Sequence, residues 1–313
     1  MALMDGAITV LSNCLSVRKG ERVLVVADPS SRAIGESLFN AARELGTEAV
    51  YMEMVTREED GQEPPRMVTQ AMKSSGVVIL ATTYSLTHSI ARRTANRAGA
   101  RIVSLPGVNN DMMSRGSLTA DYREVAQHMK KVSKYLVNSK ALEITSESGT
   151  DLTVITRKRE WVLDDNGLCF KKGTFTTLPA GELFLAPVEH LTRGNLVIDG
   201  FFGQPLEKPV ELELKRGVAV KIKRARHLKK VFEEYGKKIV TLSKFGLGFN
   251  PNTSLNAEPY VAQKRLGTIS FGFGDNSGIG GRISLPTALT GVLKNASLTV
   301  DGKMIVENGK MLF

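Results

Sequence analysis

The first 140 residues alternate between short apolar runs and stretches with apolar residues at helical spacing. Residues 22–27 (RVLVVA) form one such run, and a helical stripe follows at 38–45. Apolar residues every three or four positions indicate one face of a helix, whereas a continuous run of four to eight suits a buried strand. Further strands are predicted at 49–54, 76–81 and 101–105, and further helices at 4–15, 67–73 and 87–98. Because parallel strands need a crossover of helix length, we predict a Rossmann-like parallel sheet layer.

After a longer predicted helix at 121–138, the pattern changes to short alternating segments broken by glycine and proline. These segments lie at 143–148, 151–157, 195–202, 210–215 and 218–223. Short strands at close spacing are typical of a curled antiparallel sheet or partial barrel. We therefore predict an α/β fold with a Rossmann-like domain at 1–140 and an α+β domain at 141–313.

Composition narrows the expected compartment. No apolar run approaches the roughly 20 residues of a membrane-spanning helix, and residues 1–10 lack the basic start of a secretory leader. Two cysteines are too few for a disulfide framework and suit buried thiols in a reducing compartment. We expect a cytoplasmic protein with no membrane partner.

The net charge of +10 raises the question of nucleic-acid binding. The densest basic run, at 221–238, also contains Val231, Phe232 and Tyr235 at helical spacing and two glutamates. This pattern favours the solvated face of a helix. Aromatic residues make up only 6% of the chain and are not interleaved with basic ones, as they are in single-strand binders. We expect no nucleic-acid partner.

One polar junction in the first domain is a candidate for ligand binding. The turn after 22–27 lacks the Gly-x-Gly-x-x-Gly pattern, which excludes the usual dinucleotide site. His88 follows the predicted strand at 76–81, and ligands bind beyond the carboxyl ends of parallel strands. His88 therefore either lines a substrate crevice or lies on the surface. Ser85 or Thr87 is expected to cap the helix that follows.

The segment Leu178-Pro179-Ala180-Gly181-Glu182, followed by an apolar run and Ala-Pro, resembles a motif of the aminopeptidase T-like metallopeptidases. Other segments resemble that family in the same order: 85–92, 105–107, 149–152, 198–200, 246–251, 267–268 and 300–303. The resemblance covers about residues 20 to 309. It implies a leucyl aminopeptidase-like homodimer that takes a peptide or small-molecule ligand, with Glu182 as a metal-binding catalytic residue.

Most of that family's other metal ligands are replaced in this chain. Lys244 stands in place of a glutamate, 262–263 (Ala-Gln) in place of an acidic pair, and Ser270 in place of a histidine. A His-x-Asp pair falls approximately on Ala288 and Thr290, and no histidine follows Lys244. An ammonium cannot coordinate a metal while it keeps its proton. We therefore expect no intact cofactor site, and the sequence does not supply the family's hydrolytic centre in full.

Two further interpretations of the cleft stay open beside the aminopeptidase one. In the first, a metal-independent site binds or converts an anionic small molecule through Lys244, Asn250, Ser270 and Arg282, with His88 as a further contact. In the second, the chain is similar to a ring-cleaving dihydroxypyridine dioxygenase of the same fold, which implies a mononuclear iron bound partly by histidines in the C-terminal half.

Three details of the second domain are also left open. A divalent metal could bind at Glu182, His190 and Asp199, although such residues on alternating strands more often have surface roles. Lys244, Lys264 and Arg282 either make the cleft an anion pocket together or point to solvent. The glycine-rich segment 272–281 either cradles an anion or is a loop that needs positive φ angles.

Overall fold

The computed structural model describes residues 2–312, which fall into two compact units. The first comprises residues up to Ala126 together with Asp165–Ala180, and the second comprises Gln127–Asp164 and the residues from Gly181 onward. The sequence predicted a single boundary near residue 140. The observed division instead lies within a helix, and a short later segment returns to the first unit because it pairs with the parallel sheet there.

The chain contains helices and strands in both units. The helices are α1 (Ala2–Ile8), α2 (Arg32–Glu44), α3 (Arg66–Ser74), α4 (Ile90–Arg97), α5 (Asn110–Ser114), α6 (Tyr122–Leu136), α7 (Lys229–Ile239) and α8 (Pro259–Ala262). The strands are β1 (Arg22–Ala27), β2 (Glu48–Glu53), β3 (Val77–Ala81), β4 (Arg101–Ser104), β5 (Ala141–Ser146), β6 (Asp151–Ile155), β7 (Trp161–Val162), β8 (Phe175–Thr177), β9 (Glu182–Leu185), β10 (Arg193–Ile198), β11 (Phe201–Phe202), β12 (Val210–Lys215), β13 (Val218–Lys223), β14 (Leu242–Gly248), β15 (Ile269–Gly274), β16 (Ala288–Leu293), β17 (Ala296–Val300), β18 (Lys303–Glu307) and β19 (Lys310–Met311).

The first unit is built on a parallel sheet with the strand order β2-β1-β3-β4-β8. Every residue of β3 is buried, as its continuous apolar run predicts. The predicted α/β class and the parallel layer are confirmed. Two details differ: the single helix predicted at 4–15 is α1 followed by a π-helical segment, Thr9–Cys14, and β8 was not predicted.

The second unit contains two antiparallel sheets, where the sequence predicted a curled antiparallel sheet or partial barrel. Eight strands follow the order β13-β12-β10-β6-β5-β17-β18-β19, and six follow the order β11-β16-β15-β14-β9-β7. One face of the six-stranded sheet is aromatic: Trp161 contacts Phe245 edge-on at 5.9 Å between ring centroids, and Phe245 contacts Phe271 at 5.8 Å. Side chains alternate along a strand, so the neighbouring positions lie on the opposite face.

The predicted basic helix is present as α7, but it is interrupted. Gly236 has a φ of 57°, which breaks the helix before Lys237 and Lys238. Both lysines are exposed, in agreement with a solvated face. Among residues 2–312, no helix combines the length and the apolar composition that crossing a bilayer requires.

Candidate functional site

Neighbouring strands of the six-stranded sheet place four polar side chains on one face. Glu182 of β9 lies opposite Gly248 of β14, and Ser270 of β15 lies opposite Gly246, two residues before Gly248. Residues directly opposite each other, and residues two apart on one strand, share a face of the sheet. Lys244 is therefore on this face too. Thr290 of β16 joins it, because the residue opposite Thr290 is also opposite Lys244.

The carboxylate of Glu182 is at the centre of this group. Its side chain is only 1% exposed, and the ammonium of Lys244 lies 2.7 Å from Oε1 and 2.8 Å from Oε2. The Ser270 hydroxyl donates to Oε1 at 3.0 Å, and the Lys264 ammonium is 4.0 Å from Oε2. Burying a carboxylate is costly unless it is paired and hydrogen-bonded, and these three side chains meet that requirement.

Lys244 makes two further contacts that fix its position. Its Nζ donates to the Gln263 side-chain oxygen at 3.3 Å and lies 4.6 Å from the centre of the Phe184 ring. A cation at this distance is attracted to the negative face of an aromatic ring. The Lys244 side chain stays 19% exposed.

Glycine is required beneath this cluster. A Cβ on Gly246 would lie 2.0 Å from Glu182 Oε1 and 2.5 Å from Ser270 Oγ. A Cβ on Gly272 would lie 2.7 Å from the Cβ of Lys244. These approaches are shorter than any real Cβ contact. The two glycines, one on β14 and one on β15, therefore leave the space that the side chains of the cluster occupy.

This arrangement does not suit a divalent metal. A dication is usually bound by several carboxylates or imidazoles that point toward it. Here one carboxylate is bonded to an ammonium, and the neighbouring groups are a hydroxyl, an amide and a second ammonium. Within the described chain, no three His, Cys, Asp or Glu side chains are grouped closely enough to hold a metal ion.

The alternative metal site at Glu182, His190 and Asp199 is not formed. Asp199 accepts hydrogen bonds from Ser148 Oγ at 3.2 Å and from the Lys294 backbone N–H at 2.9 Å. It therefore has a local structural role, while Glu182 is bonded to lysine. This alternative failed because strand periodicity does not say which strands pair.

Two other predicted residues of the second unit have separate positions. Asn250 is buried, and its side-chain oxygen accepts from the Asn252 N–H at 3.0 Å. Its own N–H donates to the Lys264 carbonyl at 2.7 Å, so Asn250 helps to hold the backbone of that lysine. Arg282 does not contact Glu182 or Lys244 in any described bond; it lines a cavity with Glu189 and His190. An anion pocket around Lys244, Lys264 and Arg282 was one of two alternatives; the structure places only the two lysines together, and both lie beside the Glu182 carboxylate.

The glycine-rich segment 272–281 is a strand end and a loop. Gly274 and Gly280 have φ angles of 99° and 84°, which favour glycine. Asn276 holds the loop closed: its Nδ2 donates to the Ser243 carbonyl at 3.1 Å and its Oδ1 accepts from the Ile283 N–H at 2.8 Å. The loop interpretation accounts for these glycines.

His88 belongs to the first unit. It is exposed beyond the carboxyl end of β3, and its carbonyl accepts from the Arg93 guanidinium at 2.8 Å. The helix cap is Ser89, whose hydroxyl accepts from the Arg92 N–H at 3.1 Å. Ser85 or Thr87 was expected as the cap, but the Ser85 hydroxyl donates to Thr87 Oγ1 and accepts from the Thr87 N–H in the turn that precedes the helix.

Sequence reasoning missed Phe184 as part of the site. The signal was present, because Phe184 is two residues after Glu182 in a strand and must share its face. The Arg159–Glu189 ion pair was also missed. Nothing in the sequence brings these two together, since Arg159 lies in a turn 30 residues earlier.

A family model for 2,5-dihydroxypyridine 5,6-dioxygenase (NicX) matches residues 3–313. The chain belongs to this family. The structure is also similar to 2,5-dihydroxypyridine dioxygenase from Pseudomonas putida KT2440, with a TM-score of 0.76, 18% identity, and coverage of 99% of this chain and 96% of that one. It resembles AmpT from Thermus thermophilus with a TM-score of 0.66, 13% identity, and coverage of 100% and 99%. No curated protein sequence matches it.

These comparisons correct the predicted class of enzyme. The likeness to AmpT supports the predicted fold, but the expectation of an aminopeptidase hydrolase is wrong because the whole chain matches the dioxygenase family. The segments that resemble the aminopeptidases therefore indicate the fold and not the reaction, since one fold can carry different activities. The iron that the NicX resemblance implies does not fit the donors around Glu182, which include two ammonium groups and no imidazole.

Proposed function

We propose that this NicX-family protein binds the anion of a hydroxylated nitrogen heteroaromatic ring without a metal. The binding surface is the face of the six-stranded sheet that carries Glu182, Lys244, Ser270 and Thr290, which we call the Lys244 face. The proposal is supported mainly by one observation: the Lys244 side chain, which is 19% exposed, places its ammonium beside a buried carboxylate and an aromatic ring. The class of ligand is suggested by the family, which is that of 2,5-dihydroxypyridine 5,6-dioxygenase.

The neighbouring groups suit such a ligand. An ionised ring hydroxyl accepts a charge-assisted hydrogen bond from an ammonium, which is roughly twice as strong as a neutral one. Phe184 offers an apolar ring surface for stacking beside that ammonium. Glu182, bonded to the same ammonium and to Ser270, keeps the lysine from turning into solvent.

The test is a titration calorimetry experiment with 2,5-dihydroxypyridine under nitrogen, using protein treated with a chelator. We expect binding that weakens by about tenfold or more in Lys244→Met, because one charge-assisted bond is lost. Lys208→Met is the matched control, since Lys208 is an exposed lysine outside this face, and it should bind as the wild type does. Pyridine, which lacks the hydroxyls, should bind far more weakly. Equal affinities in the two lysine variants would refute the proposal.

A second candidate function is ring-cleaving dioxygenase activity. It is favoured by the family match over residues 3–313. The measurement is oxygen uptake with 2,5-dihydroxypyridine, with and without added Fe²⁺. We expect no uptake above the buffer rate, because the donors at Glu182 do not suit a metal. Turnover that requires iron and stops on addition of a chelator would replace the binding proposal with this one.

A further inference from the structure

The second unit contains a cavity whose lining includes no residue of the Lys244 face. Its volume is about 490 Å³, within the range of known small-molecule sites. The side chains of Val188, Val218 and Ile283 form an apolar part of its wall. An apolar wall of this kind suits the hydrocarbon body of a small organic molecule.

Among the described residues, Glu189 is the one carboxylate that lines this cavity, and it is already neutralised. Glu189 forms an ion pair with Arg159, and the side chains of the two residues are only 9% and 17% exposed. Glu189 also accepts from the backbone N–H of Arg282 at 3.0 Å. Its charge is therefore balanced within the cavity wall and does not repel an anion.

Three further cations line the cavity: Lys237, Lys238 and Arg282. Within residues 2–312, the side chains of these three have no carboxylate partner. A run of exposed lysines at the end of a helix ordinarily interacts with the helix dipole. That explanation is weak here, because Gly236 breaks α7 immediately before the two lysines.

The backbone at the cavity wall is also unusual. His190 has a φ of 69°, a left-handed conformation that is uncommon for residues other than glycine. Gly217 packs closely beneath it, since a Cβ there would lie 3.0 Å from the His190 nitrogen. Such conformations cluster at binding sites when the surrounding structure enforces them.

We propose that this cavity binds a small organic anion, with its apolar body against Val188, Val218 and Ile283 and its acidic group on Arg282 and the lysine pair. The ligand class is an aromatic or aliphatic acid, either a carboxylate or a phosphate monoester. This inference is independent of the function proposed for the Lys244 face.

The test uses the full chain and two probes, benzoate and phenyl phosphate, with benzyl alcohol as the uncharged comparison. Calorimetry should detect binding of at least one anion and weaker binding of the alcohol. Arg282→Gln should weaken anion binding by about tenfold, while Arg66→Gln, an exposed arginine of α3, should leave it unchanged. The backbone bond from Arg282 to Glu189 is kept in this variant, and circular dichroism checks its fold.

The binding of the probes decides the inference, and the two variants distinguish this cavity from the Lys244 face. Binding of benzoate alone, of phenyl phosphate alone, or of both supports it and identifies the acidic group. Arg282→Gln should leave the affinity for 2,5-dihydroxypyridine unchanged, whereas Lys244→Met should leave the affinity for the anion probe unchanged. If neither probe binds, or if Arg282→Gln binds it as tightly as Arg66→Gln does, the cavity is not an anion site.

Discussion

Replacing Lys244 with methionine tests whether the buried Glu182 depends on that ammonium. The substitution keeps most of the side-chain length and removes the charge that lies 2.7 and 2.8 Å from the two carboxylate oxygens. Glu182 would retain the Ser270 hydroxyl and the Lys264 ammonium at 4.0 Å. The variant therefore leaves a buried carboxylate with incomplete compensation.

The expected cost follows from this geometry. Removing one partner of a buried ion pair lowers the free energy of unfolding by about 3–5 kcal/mol. Because Lys264 and Ser270 remain, we expect a value near the lower limit, about 3 kcal/mol. Glu182→Gln should also destabilise the unit, since it leaves Lys244 without its carboxylate. The double variant should cost about 1–3 kcal/mol less than the sum of the single variants, because the two side chains interact directly.

The assay is urea unfolding followed by tryptophan fluorescence. Trp161 is the only tryptophan in the chain, and it contacts Phe245, the residue after Lys244. The signal therefore reports on the sheet that holds the cluster. A loss below about 1 kcal/mol in Lys244→Met, or strict additivity in the double variant, would show that the ammonium does not compensate Glu182.

Three further variants or conditions test other parts of the structure. Gly246→Ala should lose about 1–3 kcal/mol, because its Cβ would collide with Glu182, whereas Gly278→Ala should change stability by less than about 0.5 kcal/mol, since no atom lies within 4 Å of the added Cβ. Ser270→Ala should cost about 1–3 kcal/mol by removing a bond to a buried carboxylate; an unchanged urea midpoint would contradict this. Burial raises the pKa of Cys14 well above its ordinary value, so it should resist a thiol reagent at pH 8 in the folded protein, and both cysteines should react in urea. Below about pH 9 the thiol keeps its proton in both the folded and the unfolded protein, whereas above that value burial opposes ionisation in the folded protein alone. The free energy of unfolding should therefore decrease as the pH rises above that value, as measured by urea midpoints between pH 8 and pH 10.

The sequence predicted the first unit well because its strands are buried on both faces. A strand such as β3 then appears as an unbroken apolar run, which is an unambiguous signal. β8 was missed because it has only three residues and because about 70 residues separate it from β4, the strand with which it pairs. Short strands that pair far along the chain leave little local pattern.

The candidate site was predicted in part. Glu182, Lys244 and Ser270 were named from the family comparison, and the structure brings these three into direct contact. Arg282 was grouped with them on charge alone, and it lines a cavity to which none of the three belongs. The difference arises because strand register decides which positions share a face, and register depends on long-range pairing that a single sequence does not specify.

The cluster around Glu182 supplies, from side chains alone, the positive charge that a buried carboxylate needs. A buried carboxylate on β9 needs a positive charge beside it, whichever group supplies that charge. In this chain the charge comes from Lys244, on the neighbouring strand β14, where the aminopeptidase-like pattern has a glutamate. Reverting that position to glutamate alone would place two carboxylates together without a sufficient counter-charge. The lysine at position 244 and the serine at position 270 therefore fit one another, because both bond to the Glu182 carboxylate in the space where the aminopeptidase-like pattern has metal ligands.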